Sequence, residues 1–373
     1  MNDFRFVTLT AVLFAAEKHS QHVTPAAIGA FNANFRSQVE GILEGLRRAE
    51  ALGIIQASRG ACKFQHGPEQ IVTMVEKAMA ESRHTLPVCL HLDHGDARSA
   101  ISCASGKFSS VMIDASDREL GENIGTTRAV VQHAHSRGVS VEGELGRLAG
   151  IEEDISNAQT TYADPTLVPY FFKATGADAL AIAYGTQHGP NKQGMDKLAI
   201  HIVKQSYEGM KSWAMQDEHF LVSHGSSTVP QYLVNEINEY GGKLVPKNTK
   251  GVPMAKLREA IASGIRKINI DTDLRLGITA TFRKFFVENK GIEETSEILK
   301  AIKQRLDAKP REFDPRYYLE PVDRELLRDP PTGDLEEVMT LVRAWIAGHV
   351  ESLVRDFGSA GLANEVATRR TDA

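Results

Sequence analysis

The sequence predicts an α/β protein built as a single (β/α)8 TIM barrel with a C-terminal helical extension. Three observations carry that expectation. Eight short β-rich apolar runs alternate with helical stretches, polar residues gather at the C-terminal ends of the runs, and no glycine-rich turn follows the first run. Alternating strands and helices build a parallel sheet. Closing that sheet brings the strand ends to one face, where barrel active sites form. An open doubly wound sheet is the competing fold, but it carries a glycine-rich turn after its first strand, and none follows AFNANF.

The runs cover 27–34, 52–58, 87–95, 109–116, 138–146, 177–185, 219–227 and 264–272. Ahead of them, residues 7–16 are apolar but too few to span a bilayer, and no basic start precedes them. An amphipathic first helix and a cytoplasmic protein are therefore expected. Between the first two runs, Val39, Ile42, Leu43 and Leu46 recur at the spacing of one helix face. Beyond the last run, helices are expected near 274–288, 293–307, 320–328 and 334–356, with 358–373 frayed. Residues 1–290 thus read as the catalytic barrel. Residues 291–373 read as an extension packed on the barrel or on a neighbouring subunit of a homodimer or homotetramer.

The composition is that of a soluble globular protein: 373 residues, 42% hydrophobic and 24% charged. A net charge of −5 argues against nucleic acid as the partner. It leaves room for a small anionic substrate, since local Lys and Arg bind phosphate whatever the overall charge. Cys62, Cys89 and Cys103 are odd in number and show no CxxC spacing, so they read as reduced structural thiols.

Three histidines stand near strand ends, in LDHG, TQHGP and VSHGS: His94, His188 and His224. A buried histidine taken singly is more often a hydrogen-bonded core residue than a ligand. Three at the mouths of different strands suit a catalytic zinc, because three neutral imidazoles leave one position open and the full cationic charge available. Gly189 and Gly225 would let the backbone approach a ligand closely. His133 and His135 lie two apart on a helix and cannot chelate together, while His91 reads as a core or supporting residue. Asp114 and Glu144 would form a second metal position or accept a ligand histidine N–H, with a structural ion pair as the alternative. Strand alternation turns Asp93 away from His94 and towards the substrate, a placement suited to acid–base work.

Two segments look built for phosphate. HGSST offers the amides and hydroxyls of Ser226 and Ser227, and NIDTDLR offers Asn269, Asp271, Thr272 and Arg275. They follow runs seven and eight, where barrels bind phosphate, and Lys192 adds charge nearby. Taken alone, either segment is better read as a solvated turn.

Together, HLDHG, SSVMIDAS, VEGELGRLAGIEE, GTQHG, SHGSS and KINIDTDLR resemble the class II fructose-bisphosphate aldolases. The likeness runs from about residue 28 to 283, and the insert after SHGSS and the tail with FDPRYYL resemble the longer type B subgroup. That resemblance implies Zn2+ on His94, His188 and His224, with Asp114 and Glu144 as a second or alternative divalent position and a monovalent cation as a further ligand. Asp93 would exchange a proton with the aldehyde oxygen of glyceraldehyde 3-phosphate. Glu153 or its neighbour Glu152 would deprotonate dihydroxyacetone phosphate, and Asn269 would steady the enediolate. Gly189, Lys192, Gly225, Ser226, Ser227, Ile270, Asp271 and Thr272 match the triose phosphate side. Ser58 and Asn32 match the substrate pocket, and Arg275 the other phosphate. The chain departs from the family at Pro190-Asn191, where a small residue and an aromatic are common.

The substrate implied is fructose 1,6-bisphosphate, with tagatose 1,6-bisphosphate as the alternative. A metal-dependent hydrolase would show a His-x-His pair on the first strand, which AFNANF lacks. A non-catalytic aldolase-like subunit would have no use for the full set of histidines and acids.

Overall fold

All eight apolar runs form strands, and the strands close on themselves. The computed structural model describes residues 6–152, 155–157, 159–246 and 248–364. The barrel strands are β1 (Ile28–Asn32), β2 (Gly53–Ser58), β3 (Val88–Gly95), β4 (Ser110–Ile113), β5 (Ser140–Leu145), β8 (Ala179–Ile182), β9 (Phe220–Ser223) and β10 (Ile265–Ile270). Every pairing is parallel, in the closed order β1-β10-β9-β8-β5-β4-β3-β2. A short antiparallel ribbon, β6 (Gly150–Glu152) and β7 (Ile155–Asn157), rises between β5 and β8.

Side-chain alternation gives the barrel two environments. Outward residues such as Phe31, Leu90, Val111 and Leu180 pack in the layer shared with the surrounding helices. Inward residues near the strand starts, including Ile28, Ile54, Cys89 and Ala179, form a separate apolar cluster. That cluster is completed by Leu9, Val12, Leu13 and Ala16 of the first helix, Leu9–His22, which plugs the base of the barrel. Towards the strand ends the inward residues turn polar: Asn32, Gln56, His91, Asp93, Glu142 and Asn269 are all buried. The base is thus a dry plug and the top a polar chamber, as the one-sided gathering of polar residues predicts.

The helix Arg36–Arg48 buries the expected Val39, Ile42, Leu43 and Leu46. The long helix Glu336–Asp356 lies against it at close range. A Cβ on Gly41 would come within 2.7 Å of Ile346, and one on Gly45 within 2.7 Å of the Ala347 carbonyl. Two glycines four apart therefore let the extension pack directly onto the barrel's helical layer. The tail departs from the frayed segment expected. Through Asn364 it is docked, with Leu362 and Ala363 buried and the amides of Gly361 and Ala363 donating to Ala49 and Glu50. A short Phe-Gly-Ser turn carries these small residues back to the barrel base, a contact that composition does not reveal. The three cysteines are buried free thiols, as expected. Among the described residues no helix is long and apolar enough to cross a membrane.

Candidate active site

The polar chamber is built around Asp93 and His94, which the alternation rule would place on opposite faces of β3. It does not. His94 adopts φ +48° and the β3–β4 register shifts between Leu92 and Gly95, so both side chains turn into the chamber. A left-handed φ on a non-glycine residue is a strained conformation that clusters at functional sites. One ligand atom each from Asp93, His94 and His224 falls within 4.8 Å of the others, so the separation of Asp93 from the histidines expected from alternation is not what the backbone produces.

His94 and His224 meet nitrogen to nitrogen, and the His188 ring stands beside them. His224 follows β9 directly, and its Nδ1 lies 2.9 Å from Nε2 of His94. His188 sits on the loop after β8 rather than at the strand end. Its amide donates to the Ala149 carbonyl, and its ring centroid stands 5.1 Å from that of His94 and 6.4 Å from that of His224. Gly150, at φ +110°, makes this approach possible, since a Cβ there would lie 2.3 Å from the His188 carbonyl. Gly225 plays a related part against the Gln187 backbone, where a Cβ would come within 2.5 Å. The close approach that Gly225 permits is thus between neighbouring loops, which seats both histidines. The His94 and His224 nitrogens face each other at a distance that fits a shared metal ion, whose tetrahedral ligands lie about 3.3 Å apart.

Supporting groups match that reading. The Nε2 of His224 is 2.6 Å from Glu142, and the Glu142 carboxylate is 2.9 Å from the Lys267 ammonium. A carboxylate behind a ligand histidine fixes its tautomer and raises its basicity. Burial lowers the His224 pKa despite Glu142, which favours the neutral, metal-binding imidazole. Burial alone would raise the Glu142 carboxyl, but Lys267, His224 and His91 together hold it well below the usual carboxylate range. Asp114 lies 3.3 Å and Glu144 4.0 Å from Nδ1 of His94, forming a second group able to hold a cation. Burial works against ionisation of Asp114, and His94 with Ser116 outweighs it and depresses the carboxyl.

Asp93 is held by three amides. Asn269 donates to one carboxylate oxygen at 3.1 Å, while Asn32 and Gln56 donate to the other at 3.0 and 3.2 Å. Gln56 was not singled out from sequence. Its signal is its place two residues before Ser58 on the inward face of β2.

Beside the chamber opens a cleft of roughly 690 Å³, lined by His188, Gly189, Asp271, Thr272 and Arg275 among others. Ser227 accepts the amides of Asp271 and Thr272 at 3.2 and 3.1 Å, joining the loops after β9 and β10. Lys192 is buried and donates to the Gly225 carbonyl. Ser226 differs from expectation, since its hydroxyl is directed at Ser223 at 2.6 Å, within a cluster shared with Tyr184. Ile270 points its side chain into the outer core, leaving its backbone at the rim. Ser58 caps the next helix through Ala61. Arg316 also lines the cleft, paired with Asp314, which bridges it to Arg275. Sequence reading missed Arg316 because it lies in the extension, although FDPR is an acidic–basic pair beside prolines. Glu152 ends β6; Glu153 lies outside the described residues.

Residues 7–361 match the family described as fructose-bisphosphate aldolase class-II. The chain belongs to this family. Among the relatives, the fructose-bisphosphate aldolase of Giardia intestinalis is 39% identical over 320 residues, covering 84% of this chain and 87% of its own. That of Treponema pallidum is 35% identical over 320 residues, with 80% and 87% covered. The fold is shared with the solved fructose-bisphosphate aldolase of Campylobacter jejuni, at TM-score 0.64 and 21% identity, with 96% of each chain covered. It is likewise shared with the YdjI aldolase of Escherichia coli, at TM-score 0.61 and 23% identity, covering 96% of this chain and 99% of that one. Membership makes this chain a carbon–carbon lyase of the aldolase type, and the candidate metal-binding groups lie where its barrel strands end.

Proposed function

We propose that this aldolase cleaves fructose 1,6-bisphosphate reversibly to dihydroxyacetone phosphate and glyceraldehyde 3-phosphate, with Zn2+ held by His94, His188 and His224. The observation that carries the reading is the meeting of the His94 and His224 nitrogens, with the His188 ring alongside, next to a three-amide cradle for Asp93. Imidazole ligands suit zinc, and the carboxylate behind His224 is the usual support for one. The Asp114–Glu144 pair suits a second or alternative divalent position. When bound, the catalytic ion supplies Lewis-acid polarisation of the ketose carbonyl and disperses the charge that develops on the three-carbon fragment.

The side chains do the rest. During cleavage Asp93 takes the proton of the C4 hydroxyl as the C3–C4 bond breaks, and during condensation it returns that proton to the aldehyde oxygen. Glu152 or Glu153 exchanges the proton at C3. Asn269 directs an amide N–H at the oxygen where negative charge grows. Gly189, Lys192, Gly225, Ser227, Asp271 and Thr272 bind the phosphate nearer the metal, with the backbone of Ser226 and Ile270. Arg275 takes the far phosphate, together with Arg316, which shares the cleft wall. Ser58 and Asn32 border the aldehyde side.

The test compares kcat/KM on fructose and tagatose 1,6-bisphosphates for one preparation of known metal content. A clear preference for fructose supports the reading. A preference for tagatose would replace the substrate and keep the chemistry, and no cleavage of either would end it.

A further inference from the structure

Lys267 is a lysine with no solvent exposure, set in the middle of β10 with its side chain turned into the polar chamber. Its ammonium has two partners, Glu142 at 2.9 Å and the side-chain oxygen of Asn269 at 2.8 Å. An ion pair with Glu142 does not by itself account for a lysine here. A buried pair can often be exchanged for apolar residues of the same volume without loss of stability.

The second partner is informative. An asparagine amide can present its oxygen or its nitrogen to a given neighbour, and lysine has donors only. Lys267 therefore accepts only the orientation in which Asn269 turns its oxygen down the barrel. The Asn269 nitrogen is then directed up, 3.1 Å from Asp93 and 3.3 Å from the His224 ring. The flipped amide would set N–H against ammonium on one side and oxygen against carboxylate on the other. Both side chains lie on the inward face of β10, two residues apart, so strand geometry keeps them in register.

We propose that Lys267 is a positioning residue for the aldol reaction, which locks the Asn269 amide so that its N–H donors face Asp93 and the oxygen on which negative charge develops. The inference rests on the metal-assisted aldol reading given above. Lys267 touches neither substrate nor metal in this scheme, and acts through Asn269.

The experiment is a double-mutant cycle of Lys267→Met and Asn269→Ala. Each protein is assayed for kcat and KM on fructose 1,6-bisphosphate, for Zn2+ affinity of the apoenzyme by chelator competition, and for Tm. Lys267→Met should lower kcat about 10- to 100-fold, the range seen for supporting residues, with KM little changed. Added to Asn269→Ala it should cost nothing further, because the group it positions is gone. The variant Glu142→Gln/Lys267→Met removes both charges, and guards against a single variant that fails to fold. Assayed at saturating Zn2+, so that any metal lost with Glu142 is replaced, it should recover Tm towards wild type while kcat stays low. Losses that multiply across the cycle would overturn the proposal, as would recovery of kcat in the charge-free variant. A wild-type enzyme that cleaves no ketose bisphosphate would instead fail the functional reading itself, an outcome distinct from either.

Discussion

The Nδ1 atom of His224 lies 2.9 Å from the Nε2 atom of His94, although 130 residues separate them in the chain. Two neutral imidazoles meet this way through a single shared proton or a shared cation. The carboxylates of Glu142, 2.6 Å from Nε2 of His224, and of Asp114, 3.3 Å from Nδ1 of His94, favour the second arrangement, because each accepts the far N–H of its histidine and leaves two lone pairs facing each other.

Replacing either His94 or His224 with Ala should therefore remove most of the bound metal and most of the activity. Glu142→Gln should be milder, weakening the metal about 10- to 100-fold. Metal per chain after gel filtration, measured by mass spectrometry, separates the two outcomes. Full metal content in the histidine variants would contradict the assignment.

Asp93→Ala should leave the metal in place and lower kcat about 10²- to 10⁴-fold, the usual scale for a lost acid–base group. It also strands the N–H donors of Asn32, Gln56 and Asn269, so a lower Tm is expected alongside. Since Asp93 lies within reach of the His94–His224 pair, loss of metal in this variant would make it a ligand.

Asp273 fastens the loop behind the proposed phosphate rim. Its carboxylate accepts the amides of Thr228 and Val229 at 3.0 and 2.7 Å, with His349 of the extension 3.6 Å away. Asp273→Ala should cost about 1–3 kcal/mol for each stranded buried donor, and should raise KM more than it lowers kcat. Denaturant unfolding and steady-state kinetics measure the two effects, and an unchanged KM would count against the rim as a phosphate site.

The pH dependence of folding offers a check away from the chemistry. Burial, with Arg47 nearby, pushes the His84 imidazole down to about 4. The unfolded chain binds a proton near pH 6.5 that the folded chain refuses. The contribution of His84 is thus fully present above about pH 6.5 and is lost as pH falls towards 4. In His84→Gln the stability should fall less steeply over that window, as followed by urea unfolding at several pH values; parallel curves would contradict this.

How far the sequence reveals all this follows from two kinds of regularity. Parallel strands covered on both faces read as continuous apolar runs, so all eight barrel strands were legible. Strand ends meet on one face, so Asp114, Glu144, His224 and Asn269 were legible as one chamber. What stayed hidden depends on single backbone torsions or on distant chain segments. The φ of +48° at His94 overrides alternation and brings Asp93 to the same side. Arg316 reaches the cleft from the extension, and the 358–364 tail returns to Ala49 and Glu50, contacts for which no periodicity exists. Lys267 did leave a trace, as one of two adjacent charged residues, with Arg266, inside the otherwise apolar-rich run that forms β10.

The central claim is that cleavage depends on a metal held by His94, His188 and His224. Its most direct measurement is the rate of fructose 1,6-bisphosphate cleavage as metal is stripped with EDTA and then returned as Zn2+, with bound metal quantified at each step. Activity should fall in proportion to metal removed and return as about one Zn2+ per chain is restored. Cleavage that persists unchanged in protein shown to be metal-free would contradict the account.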